Sequence, residues 1–135
     1  MFDFTHNSEL HNLIASVYER GAIVASVGHG YCGILNVRLS DGSYLVNGKI
    51  LTGPSWWEEK LALVSQKVPF NAEELAKERG ADYIRWKRPY RGSAAATNGL
   101  VTGHNNSSSG NLVASSVCEE LDRLDSLKAK GSEPL

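Results

Sequence analysis

Leu10, Leu13, Ile14, Val17 and Tyr18 recur three and four residues apart, the spacing of one face of an amphipathic helix. Asn7 or Ser8 can cap its first turn, and Gly21 closes it. The next apolar run, AIVASV at 22–27, is short and bounded by glycine, so it predicts a buried strand. A short helix is expected from about Tyr31 to the turn signal Ser40-Asp41-Gly42. SYLVNGKILTG carries Asn47-Gly48 and predicts a small hairpin with KILT as its outgoing strand. SWWEEKLALVS opens on a capping serine and an acidic first turn, so it reads as a helix. Asn71 caps another, AEELAKER, stopped by Gly80. DYIRW (82–86) and NGLVTG (98–103) predict strands. The last helix begins in the serine-rich stretch at 106–109 and carries Leu112, Val113, Val117, Leu121 and Leu124 along one stripe. The folded domain is assigned to residues 1–127, with 128–135 as a disordered tail.

Helices alternating with strands predict an α/β fold with a mostly parallel sheet of about four strands. A parallel sheet needs both faces covered and its edges paired, so four strands look like part of a larger design. Length agrees with one domain, at 135 residues. A net charge of -1 excludes any global pull toward nucleic acid or acidic membranes. The sequence has neither an apolar run of bilayer length nor a basic-then-apolar leader, and a cytoplasmic location is expected. Cys32 and Cys118 are far apart and form no metal-spaced pair, so neither a metal site nor a disulfide scaffold is expected. His6 and His11 have no carboxylate or cysteine at ligand spacing and read as solvated side chains. RWKRPYR (85–91) mixes cations with Trp86 and Tyr90 and could stack bases, but in an acid-balanced chain it reads as a solvated loop.

The candidate chemistry lies in SVGHGYCG. Gly28, Gly30 and Gly33 spell G-x-G-x-x-G after an apolar run, the form of a dinucleotide-binding turn. That site also needs a long helix opening at the third glycine and an acidic residue some 20 residues on, ending a strand. Here the helix has room only to about Leu39; Asp41 sits too early and in a turn, and Glu58 and Glu59 come too late. The same strand-then-turn pattern fits a nucleophile elbow, in which small residues let the chain bend sharply and expose one side chain. Gly28 stands where the nucleophile belongs, and His29 follows it.

The segment VASVGHGYCGILNVRLSDGSYLVNGKILTG resembles the central part of the ThiJ/PfpI superfamily, the class I glutamine amidotransferase-like proteins, in its glyoxalase III and chaperone-like branch. That branch carries V-C-H-G-P-A, then L-N-V-K-L-S-D-G, then V-T-G-F-S-N-x-E-E. KVPFNAEELAKERGADY and NGLVTGHNNSSS resemble two further family segments in the right order, and MFDFTHNSELHNLIASVYERG resembles the helix before the elbow strand. The likeness runs from residue 1 to about 125 and implies the C-terminal part of a flavodoxin-like three-layer sandwich, with the family's earlier strands lacking a counterpart.

The resemblance implies cofactor-free conversion of methylglyoxal to lactate by cysteine, histidine and glutamate. His29 matches the elbow histidine and Glu59, counted from Gly53, the carboxylate that holds it, with Glu58 as its neighbour and stand-in. Without the resemblance, the favoured reading of His29 is a turn histidine bonded to backbone. Gly28 cannot attack a carbonyl, so a retained but orphaned pair is expected in a noncatalytic remnant. The alternatives are a working glyoxalase III-like enzyme, and a chaperone-like or partner-binding module using an open sheet edge. Cys32 is read as a buried inert thiol, as is Cys118 on the last helix's stripe. Gly30, Trp56, Glu58 and His104 are candidates to line a residual pocket. The implied partners are a small aldehyde and either a second copy or an N-terminal half-domain, with no nucleic acid and no membrane.

Overall fold

Helix ends follow the capping chemistry read from the sequence. The computed structural model describes residues 1–85, 92–104 and 107–131. Helix α1 spans Ser8–Glu19; the Asn7 side chain accepts from the Leu10 N–H, and Gly21 leaves the helix at φ +86°. Ala15 is buried and Ile14 and Tyr18 pack against the core, but Leu13 is exposed. Helix α2 (Trp56–Leu61) starts at Ser55 and is shorter than expected, the chain turning out at Leu63 with φ +58°. Helix α3 (Ala72–Glu78) starts at Asn71 and ends before Gly80, at φ +85°.

Strand β1 (Val24–Val27) pairs in parallel with β5 (Leu100–Gly103), register Val24 with Leu100 and Val27 with Gly103. Strand β4 (Ala94–Thr97) pairs antiparallel on the other side of β5, giving the order β1-β5-β4. A second, two-stranded parallel sheet joins β2 (Ile50–Leu51) to β3 (Asp82–Tyr83). Thr52 N–H donates to Thr102 Oγ1 at 2.9 Å, tying β2 to β5. The described part is thus α/β with two parallel pairs and one antiparallel pair.

Four readings are corrected. The run at 22–27 is not a buried strand: β1 is an edge among the described residues, and Ala25 and Val27 are exposed. The helix expected from Tyr31 is a six-residue 3-10 helix, Gly28–Gly33, because three glycines in six residues disfavour an α-helix. The Asn-Gly hairpin is not at 47–48. Asn98-Gly99 turns β4 into β5, both at positive φ (+47° and +78°) as a two-residue hairpin turn requires. Gly48 instead donates to Gly80 O at 2.9 Å, and the chain enters β2 toward a parallel partner; the local hairpin lies earlier, around the Arg38–Tyr44 bridge. Finally, α4 (Ser107–Gly131) buries Val113 and Glu120 and leaves Leu112, Leu121 and Cys118 exposed, so Cys118 is not a buried thiol. Its packed face is narrower than the apolar stripe, and residues 128–131 continue the helix instead of forming a tail. Of RWKRPYR, only Arg85 lies within the described residues.

Tyr31, Leu35, Val37, Leu45, Val46, Leu51 and Leu100 form the fully buried core. No helix among the described residues is long and apolar enough to cross a membrane. Glu73 on α3 clamps three elements: it accepts from the Trp56 N–H at 3.0 Å, Lys77 Nζ at 2.6 Å and Arg85 Nε at 2.5 Å. Burial pushes its carboxyl up, but the hydrogen bonds from Lys77, Trp56 and Arg85 more than offset this and hold it below the usual range. A depressed folded-state pKa stabilises the fold above the unfolded-state pKa and loses that contribution as pH falls through the folded value. Glu73→Gln should therefore flatten the acid limb of urea midpoint against pH; an unchanged limb would refute the clamp's role.

Candidate active site

The site lies where parallel strands β1 and β5 end side by side. Their last residues, Val27 and Gly103, are register partners, so Gly28-His29 and His104 leave the sheet from the same edge. That C-terminal edge is where ligands sit on open α/β sheets. Gly28 has φ +59°, the left-handed turn of an elbow. The Tyr31 ring is fully buried, and a Cβ on Gly53 would lie 2.6 Å from its Cε1, so only glycine lets the β2–α2 loop pack so closely. Tyr83 OH donates to Pro54 O at 3.1 Å and fixes that loop where α2 begins.

Helix α2 then delivers two adjacent carboxylates to two histidines. Glu59 is buried and its Oε1 lies 2.5 Å from His29 Nε2, while the His29 ring is 41% exposed. Glu58 closes a capping box: its Oε2 accepts from Ser55 N–H and Oγ, and its own N–H donates to Ser55 Oγ. The same Oε2 is 2.7 Å from His104 Nε2, and both side chains are buried. His104 Nδ1 is buried without a hydrogen-bond partner among the described residues.

A carboxylate on one imidazole nitrogen fixes the ring's tautomer and orientation, so His29–Glu59 presents an oriented imidazole at the solvent edge for proton transfer. His104–Glu58 is enclosed and supports the start of α2. The Cys32 thiol is fully buried, and desolvation pushes its pKa up to about 12, leaving no thiolate near neutrality. Among the described residues no cluster of His, Cys, Asp or Glu could hold a metal ion.

The structure thus joins His29 to Glu59 and His104 to Glu58. It does not gather the four pocket candidates. Gly30 lines an apolar groove with Phe4, Leu10, Ile14, Val24 and Ile34. Trp56 is half-buried, with Lys60 Nζ 5.9 Å from its ring centroid. Sequence reasoning misses the second Glu–His pair; the doublet Glu58-Glu59 is its only local signal.

No family model matches the chain. The probable glutathione-independent glyoxalase hsp3103 of Schizosaccharomyces pombe is 33% identical over 112 residues, covering 78% of this chain and 43% of that protein. This chain is a homologue of the glutathione-independent glyoxalases of the ThiJ/PfpI superfamily. The glutathione-independent glyoxalase HSP31 of Saccharomyces cerevisiae is 27% identical over 124 residues, 87% of this chain and 52% of that one. The crystal structure of glyoxalase III from Candida albicans superposes at a TM-score of 0.76 with 24% identity, over 87% of this chain and 51% of its own, which shows the shared fold. The chain spans about half the length of these glyoxalase relatives.

Proposed function

We propose that this homologue is a noncatalytic member of the glyoxalase lineage, keeping an elbow and its acid–base pair without a nucleophile. The supporting observation is Gly28, at φ +59° beside His29–Glu59, where the family resemblance places cysteine. Glycine offers no atom to add to an aldehyde carbonyl, and Cys32 is buried and protonated, so it cannot substitute. The chain is expected to leave methylglyoxal unchanged, with D-lactate formation indistinguishable from buffer. Turnover by the chain as it stands would overturn the reading in favour of an active enzyme of that class.

A second reading rests on β1. Val24 N–H donates to Gly99 O, so Val24 and Ser26 turn their backbone groups toward β5, and Ala25 and Val27 turn theirs outward. Beside that edge runs an apolar groove of about 330 Å³ whose lining includes the exposed Phe4. The fitting occupant is an extended segment that adds a strand to β1, and because the chain covers only 43% of the S. pombe relative, the unmatched portion of that protein is the candidate to supply it. Mixing the chain with the unmatched portion of the S. pombe relative should give a 1:1 complex by sedimentation velocity. Self-association of this chain that blocks the complex, or no complex at all, would refute that occupant.

A further inference from the structure

Away from the elbow, the start of α1, the Arg38–Tyr44 hairpin and the end of α3 enclose a groove of about 400 Å³ lined by Thr5, His6, Ser8, His11, Asn36, Arg38, Tyr44 and Arg79. None of these residues is acidic. Arg38 Cζ lies 3.5 Å and Arg79 Cζ 4.6 Å from the Tyr44 ring centroid, so one aromatic ring carries two guanidinium groups. Neither forms an ion pair among the described residues, whereas Lys77, Arg85 and Arg123 do. Two carboxylates at the hairpin are committed elsewhere: Asp41 to the Ser43 N–H and Oγ, and Glu19 to the Ser40 N–H.

Both arginines are also held in place by neutral groups. Arg38 Nη1 donates to Gly42 O at 2.7 Å. Arg79 Nε donates to Asn36 Oδ1 at 3.1 Å, and Asn36 Nδ2 donates to Thr5 O at 2.9 Å. These bonds use one nitrogen of each fork and leave the others without a described partner. His11 Nε2 is 3.1 Å from Phe4 O, which fixes its ring at the groove wall. Two like charges on one ring repel each other; they are favourable together when an anion neutralises both.

We propose that this groove is a binding site for a phosphomonoester on a small molecule, its phosphate held between Arg38 and Arg79. A phosphate dianion matches the two charges, and its oxygens accept from guanidinium forks approaching from two elements. Ser8 and the His6 ring line the same groove and add donors, and the remaining volume takes a small polar body. The site involves none of the elbow residues, so it stands whether or not the elbow is silent.

The test is calorimetric titration of the full chain with inorganic phosphate and with glycerol 3-phosphate at matched ionic strength, with amide and histidine-ring NMR shifts recorded alongside. Both ligands should bind saturably, the ester at least as tightly, with shifts confined to residues 5–11, 36–44 and 79. Arg38→Lys and Arg79→Lys keep the charge but lose the fork, and each should weaken binding about tenfold while leaving the spectrum of a folded chain. Arg38→Gln/Arg79→Gln should abolish it. A linear response that chloride reproduces, equal affinity in the lysine variants, or binding of inorganic phosphate without the ester would each overturn the proposal.

Discussion

Glu58→Ala is expected to destabilise the fold by about 3–5 kcal/mol, the usual consequence of removing one partner of a buried ion-paired or hydrogen-bonded set. Its Oε2 serves three donors: Ser55 N–H, Ser55 Oγ and His104 Nε2. Truncation removes the Glu58 half of the capping box and leaves only the Ser55 Oγ cap on the N–H of residue 58. It also strands His104, whose Nδ1 already lacks a partner among the described residues. Glu59→Ala is expected to cost about 1 kcal/mol or less, because the His29 ring it releases is 41% exposed and can bond to water. Adjacent residues of one type thus have opposite sensitivities. Urea denaturation of both variants, with Glu58→Gln as the one that keeps an acceptor, measures the contrast. Equal losses would mean that the two pairs share one environment, against the geometry.

That contrast also marks where the sequence stops being informative. Glu59 is placed beside His29 only by the family resemblance, which matches it to the carboxylate after Gly53; no local spacing links two residues 30 apart. Nothing local links Glu58 to His104, since their contact depends on β1 and β5 ending in register. The same limit explains the misplaced hairpin. Asn47-Gly48 and Asn98-Gly99 carry the same turn signal, and only the second is flanked by segments that pair with each other. The first is overruled by a parallel partner in β3 and by the Gly80 carbonyl. Cys118 reads wrongly from its stripe because α4 touches the sheet along a narrower strip. Arg38, Tyr44 and Arg79 give no sequence signal at all, being joined only when α3 returns beside the hairpin. The α/β class and most helix starts are legible, because capping residues act within one turn of themselves.

Gly28→Cys is the variant expected to change chemistry most. In a Cys118→Ser background the chain that keeps Gly28 should show no rapidly alkylated thiol, because Cys32 is buried with its pKa pushed up to about 12. The substitution places a thiol at an elbow with φ +59°, at a backbone cost of about 1–2 kcal/mol for a side chain in left-handed geometry. His29, held by Glu59 at 2.5 Å, then lies next to it in the chain. An adjacent imidazolium stabilises a thiolate, so alkylation by iodoacetamide should persist well below the free-thiol pKa of about 8.5. His29→Ala should return the profile to that of an ordinary thiol, and Glu59→Gln should move it part of the way. If the introduced thiol alkylates only above the free-thiol pKa with His29 present, the pair does not address the elbow. It would then be a structural bond between the elbow turn and α2, and the noncatalytic reading would extend from the missing nucleophile to the whole site.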